Sequence, residues 1–140
     1  FVGDITNVET STLNLLLEQR ICAVFCAITH DNKGQLLNTN ADTIASELAI
    51  AFAKQFNVEL HYCFEKKGVL KDINDNNSVI QTITKSSYKK LLEAQLIFSG
   101  MIPKLNNCFH ALEQNVSKVC IGTPEMLIDS ENIYTTVTLK

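Results

Sequence analysis

The stretch Ile21-Cys22-Ala23-Val24-Phe25-Cys26-Ala27-Ile28 carries no polar side chain. It is far shorter than the roughly 20 apolar residues of a membrane span. An unbroken apolar run of this length suits a strand buried on both faces, as in a parallel sheet covered by helices. The neighbouring segments have the matching spacing. Residues 41–56 form the strongest helix, with Ile44, Leu48, Ala51, Phe52 and Gln55 on one broad stripe. Residues 58–64 read as the strand that follows it.

Elsewhere, residues 2–8 read as a strand and 10–19 as a leucine-rich helix capped by Thr10 or Ser11. Asp31-Asn32-Lys33-Gly34 is a turn before a short return strand at 35–37. A polar loop spans 65–77, 78–84 is partly extended, and 86–95 is helical. Gly100 ends that segment, and Pro103 fits only a first helical turn, so another helix opens at Met101 and runs to Asn115. It buries Ile102, Leu105, Phe109 and Leu112. Strands at 118–121 and 134–139 follow, with a short helix from Thr123-Pro124-Glu125 between them. Strands alternating with helices predict an α/β fold, a three-layer sandwich around a mostly parallel sheet. Ligands bind such sheets beyond the carboxyl ends of the strands. The loops before Ala41, after Phe64 and before Met101 should gather there.

A length of 140 residues fits one domain or one part of a larger protein. A net charge of −3 provides no basic field for nucleic acid. No signal peptide is visible, so the expected location is the cytoplasm, without membrane partners. The cysteines Cys22, Cys26, Cys63, Cys108 and Cys120 form no Cys-x-x-Cys pair and fit no zinc spacing; they read as reduced core thiols. The chain enters directly at the strand-like Phe1-Val2-Gly3-Asp4-Ile5, and the expectation is that a natural N-terminal part precedes it.

The residues that could carry chemistry fall in three places. Lys104 follows Ser99-Gly100-Met101-Ile102-Pro103, near the positive end of a helix dipole, where a cation is disfavoured by about 0.3–1 kcal/mol. A solvated surface lysine is one reading. The other is a phosphate site built from free backbone N–H groups and one positioned cation. The second place is Asn38-Thr39-Asn40-Ala41-Asp42. Asn40 as an N-cap and Asp42 in a first turn are ordinary helix-start chemistry; alternatively, Asp42 faces the same pocket as Lys104 and holds its ammonium. The third is Glu65-Lys66-Lys67-Gly68-Val69-Leu70, either a solvated charged loop or one wall of a nucleotide-base site. No Walker loop, Gly-x-Gly-x-x-Gly or Gly-x-Ser-x-Gly is present, and His30, His61 and His110 lack metal-ligand spacing.

Taken in order, Gly34-Gln35-Leu36-Leu37-Asn38-Thr39-Asn40-Ala41-Asp42, Gly68-Val69-Leu70 and Gly100-Met101-Ile102-Pro103-Lys104 resemble the C-terminal, nucleotide-binding half of the amino acid kinase family, in its N-acetylglutamate kinase branch. The opening Phe1-Val2-Gly3-Asp4-Ile5 resembles a segment midway through the family's sequence. The resemblance covers nearly the whole chain. It implies that residues 1–140 are that half and that the substrate half lies outside them. It further implies ATP-dependent phosphorylation of the side-chain carboxylate of N-acetyl-L-glutamate, in arginine biosynthesis. On this analogy Lys104 stabilises the transferring phosphoryl group and Asp42 organises Lys104 together with a second lysine from the other half. Asn38 and Asn40 lie on the substrate side. Glu65, Lys66, Lys67, Gly68, Val69, Leu70, Leu96, Ile97, Phe98, Gly100 and Met101 surround the nucleotide. Magnesium is carried mainly by the ATP phosphates, and the full-length protein is a homo-oligomer.

Some positions depart from the family pattern. Phe64-Glu65 stands where a Thr/Ser-Asp pair is usual, Ser99 where Gly or Asp is common, and Thr29 where relatives often have glycine. The 140-residue piece alone is not expected to turn over. A kinase acting on another acyl-amino acid such as N-succinylglutamate, and a nucleotide-binding regulatory module without catalysis, are the alternative readings.

Overall fold

In the computed structural model, which describes residues 1–129 and 131–140, the chain runs α1 (Thr10–Glu18), β1 (Ile28–His30), β2 (Leu36–Asn38), α2 (Ala41–Ala53), β3 (Glu59–Cys63), β4 (Thr82–Thr84), α3 (Lys85–Glu93), α4 (Met101–Glu113), β5 (Lys118–Gly122), a 3₁₀ turn (Pro124–Leu127) and β6 (Thr135–Thr138). The main sheet has the order β3-β5-β6-β4. β3 pairs with β5 and β4 with β6 in parallel, while β5 and β6 are antiparallel, so the sheet is mixed and mostly parallel. β1 and β2 form a separate antiparallel hairpin. Among the described residues, no helix is long and apolar enough to cross a membrane.

Local chemistry explains where the helices start. Asn40 caps α2, its Oδ1 accepting from the N–H groups of Asp42 (2.9 Å) and Thr43 (3.2 Å). Thr84 and Ser87 form a reciprocal capping box at α3. α1 is capped not by Thr10 or Ser11 but by the Glu9 carboxylate, which accepts from the Ser11 N–H. An anionic acceptor suits a helix N-terminus at least as well as a hydroxyl.

Two expected strands do not form. Within 2–8 a single bridge joins Val2 to Asn38. The apolar run from Ile21 enters a strand only at Ile28, and Ile21, Val24, Phe25 and Ile28 are all exposed, Val24 to 93%. A strand buried on both faces needs backbone partners alongside it and a layer over each face. In this structure the main sheet stops at β3. The run instead borders a groove of about 770 Å³, where Cys22, Ala23 and Phe25 stand opposite Leu48, Phe52 and Phe56.

That groove also reverses the expectation for α2. The anticipated stripe of Ile44, Leu48, Ala51 and Phe52 is only partly covered, and the most buried side chains are the small Ser46 and Ala49. The core lies between the sheet and α4. Ile83, Val119, Ile121 and Val137 face Leu105, Cys108, Phe109 and Ala111, as expected for Leu105 and Phe109.

Thr135, fully buried at the start of β6, ties the loop after β3 to the sheet. Its hydroxyl accepts from the Val69 N–H (2.8 Å) and donates to the Ile80 carbonyl (2.7 Å). Gly68 passes so close that an added Cβ would stand 2.6 Å from the Thr135 Oγ1, so no larger residue fits there. Thr135→Val leaves the Val69 N–H without this buried acceptor. It is expected to cost about 1–3 kcal/mol in urea denaturation, with Thr135→Ser, which keeps the hydroxyl, avoiding most of that loss.

Candidate active site

α2 and α4 meet along a seam of polar contacts that advances in the same direction on both helices. Asp42 faces Lys104, Thr43 and Ser46 face Asn107, and Glu47 faces His110. The two helices therefore run side by side with their N-termini at the same end. Small buried residues at the contact, Ser46 and Ala49 on α2 with Cys108 and Ala111 on α4, let them approach closely.

At the shared N-terminal end the Lys104 Nζ donates to the Asp42 Oδ1 at 2.6 Å. The Lys104 side chain is 16% exposed, so this is no surface lysine swinging in solvent. The pair rests on Tyr62 near the end of β3. The Lys104 Nζ stands 4.6 Å from the centroid of the Tyr62 ring, and the Tyr62 hydroxyl donates to the Asp42 carbonyl at 2.9 Å. Burial pushes the Tyr62 hydroxyl well above its ordinary pKa, so it remains a donor.

Lys104 lies at the edge of a cavity of about 870 Å³ beyond the carboxyl end of β3. One wall is the loop after β3 and the other is the segment leading into α4. Of the residues anticipated there, Glu65, Lys66, Gly68, Val69, Leu70, Leu96, Ile97, Phe98, Gly100 and Met101 line it. Lys67 does not, and it is exposed. Phe64, Lys71, Asp72, Ile73, Ser78 and Gln95 also line the cavity. No periodicity marks these residues in the sequence. They meet because the loop folds back on itself through the Leu70–Val79 bridge. Tyr62 carries no sequence signal for a related reason: strand alternation indicates that it points inward, but not what it meets there.

The start of α4 differs from the anticipated cradle of free N–H groups. The Met101 N–H bonds to the Phe98 carbonyl (2.9 Å), the Ile102 N–H bonds to that of Ser99 (3.3 Å), and Pro103 has none. A tight lead-in turn thus uses the donors of the first helical positions, and the ammonium of Lys104 is the positioned donor at this end. Asn38 and Asn40 are exposed and stand outside the cavity; Asn40 is occupied as the α2 cap. None of the three histidines lines the cavity: His61 pairs with Glu59, His110 with Glu47, and His30 accepts from the Asn32 N–H. The expectation of core thiols holds for Cys108 and Cys120, whereas Cys22, Cys26 and Cys63 are exposed. The segment holding Cys22 and Cys26 is apolar in sequence, but this structure leaves it uncovered, whereas Cys63 falls at an outward position at the end of β3.

The sequence profile of the amino acid kinase family matches residues 1–123. The chain belongs to that family. It is 49% identical over 140 residues to the acetylglutamate kinase of Cytophaga hutchinsonii, covering all of this chain and 53% of that protein. It is 52% identical over 121 residues to the acetylglutamate kinase of Phocaeicola vulgatus, covering 86% of this chain and 47% of the relative. The chain thus spans about half the length of the curated relatives it matches. Two crystal structures share the fold across the whole chain. The smu.665 protein of Streptococcus mutans superposes with a TM-score of 0.80 at 27% identity over 52% of its length. The N-acetylglutamate synthase of Neisseria gonorrhoeae superposes with a TM-score of 0.83 at 18% identity over 33% of its length. As in other α/β proteins, the cavity of this amino acid kinase family member opens at the carboxyl end of a sheet strand.

Cys108 sits one turn beyond Lys104, and burial pushes its thiol up to about 12. Below that pH it stays protonated and unreactive. Iodoacetamide at neutral pH is therefore expected to modify the exposed Cys22, Cys26 and Cys63 in the folded chain and to reach Cys108 and Cys120 only after denaturation, as read by peptide mass mapping.

Proposed function

We propose that this chain is the nucleotide-binding half of an acetylglutamate kinase, which transfers the terminal phosphoryl group of ATP to the side-chain carboxylate of N-acetyl-L-glutamate. The observation that carries this reading is the Lys104–Asp42 pair at the edge of a cavity large enough for a ligand of nucleotide size. The similarity to acetylglutamate kinases supports the choice of acceptor.

The residues at hand suit the chemistry. A carboxylate acceptor is ionised near neutral pH, with an ordinary pKa of about 4.3 for a glutamate side chain. It needs no general base, and neither imidazole nor thiol lines the cavity. What remains is to position the reactants and neutralise the charge spread over the phosphoryl oxygens. Lys104 has three N–H donors, of which one engages Asp42, so it can also donate to a phosphoryl oxygen. Asp42 fixes the ammonium and offsets the cost of a cation beside two helix N-termini. Leu70, Ile97, Phe98 and Met101 offer an apolar bed for the base. Asn38 and Asn40, at the entry to α2, are assigned to the acyl-amino-acid side. Among the described residues no group of three or more His, Cys, Asp or Glu side chains is arranged to hold a metal ion. Magnesium in this reading arrives on the nucleotide's phosphates, and it supplies charge neutralisation there.

In the intact protein, Lys104→Ala is expected to lower kcat by at least about 100-fold with little change in KM for ATP, because the interaction grows in the transition state. A near-normal rate removes Lys104 from the mechanism. Asp42→Asn is expected to reduce kcat as well, although the Asn40 cap remains. A change confined to the melting temperature would leave Asp42 a purely structural helix-start residue. ATP with magnesium is expected to raise the melting temperature, since a ligand that prefers the folded state stabilises it. No shift at millimolar ATP overturns the nucleotide assignment.

A further inference from the structure

Tyr62 is 5% exposed and lies on the inner face of β3, where a leucine or phenylalanine would fill the core equally well. What a plain core residue would not supply is its pair of polar contacts. The hydroxyl donates to the carbonyl of Asp42, the very residue whose carboxylate holds Lys104. A helical carbonyl has a second lone pair free for such a bond, so the contact adds to α2 without unwinding it. The face of the same ring lies against the Lys104 ammonium. One side chain therefore touches both members of the pair, at the backbone of the acid and at the charged end of the base.

We propose that Tyr62 is a positioning residue, holding the first turn of α2 through its hydroxyl and the Lys104 ammonium through its ring so that the pair keeps one geometry at the cavity edge. The consequence is rigidity where it is needed. A lysine has several rotatable bonds, and an ion pair alone leaves the ammonium free to pivot about the carboxylate. A ring face on a second side removes that freedom and tolerates no water between ring and cation. Both helices are then registered against β3 as well as against each other.

Two variants separate the contacts. Tyr62→Phe removes the hydroxyl and keeps the ring; Tyr62→Leu removes both. The direct readout is the ring-current shift of the Lys104 ε-methylene protons in the intact protein, assigned by their loss in Lys104→Arg. Those protons are expected upfield of an ordinary lysine in the wild type and in Tyr62→Phe, and at the ordinary position in Tyr62→Leu. The kinetic readout rests on the kinase reading. Tyr62→Phe is expected to lower kcat about 3- to 10-fold and Tyr62→Leu about 10- to 100-fold, with KM for ATP changed less than about 2-fold. A wild-type kcat in either variant, or an unshifted Lys104 signal in the wild type, overturns the proposal. If the wild-type protein shows no phosphoryl transfer at all, the kinase reading fails, and the ring-current arm decides the role of Tyr62 by itself.

Discussion

The close parallel approach of α2 and α4 is the constraint on which the rest of this structure depends. Ser46, Ala49, Cys108 and Ala111 are small, and all are buried. Larger side chains would hold the helix axes apart, because interaxial distance follows the size of the residues at the contact. With the helices in register, residues 62 positions apart in the chain become partners across the seam, and Asp42 reaches Lys104. The same approach stacks two positive helix ends together, an electrostatic cost that each helix alone would not carry. The carboxylate of Asp42 belongs where that cost is greatest.

The start of α4 leaves few backbone donors open. The lead-in turn before α4 uses the N–H groups of Met101 and Ile102 on the carbonyls of Phe98 and Ser99. Beside α4, the positive character of the cavity therefore rests on the Lys104 ammonium and the helix dipoles rather than on a nest of open amides, while Lys66 and Lys71 add cations on the facing wall. Several contacts converge on that ammonium: a carboxylate, an aromatic face and a mostly buried surrounding.

The opposite wall depends on the antiparallel strand. β6 enters the sheet between β5 and β4, so Thr135 arrives beneath the loop that follows β3 and bonds to both Val69 and Ile80. Gly68 is the place where loop and strand touch, and its missing Cβ is what permits the contact. The cavity is thus enclosed by one wall anchored to β6 and another that leads into α4, and Lys104 belongs to the second.

Local chemistry wrote much of this plainly. The Asn40 cap, the Pro103 start of α4, the buried spacing of Leu105 and Phe109 and the alternation of strands with helices could be read from the residues in order, because each depends on neighbours within a turn or two. The motif segments could also be placed on a family pattern, since they retain its residues at its spacing. Tertiary structure decided the remainder. The apolar run from Ile21 has the composition of a buried strand, yet burial belongs to whatever lies alongside, and here the run joins a ladder only at its end, where the Ala27 carbonyl accepts from the Thr39 N–H and Ile28 enters β1. The stripe on α2 was visible, but the face that packs is the small one, since close approach to α4 depends on both helices at once. Tyr62 and Thr135 show the same limit. Their inward direction follows from strand alternation, whereas the partners that make them matter come from distant parts of the chain, and only the folded backbone brings those together.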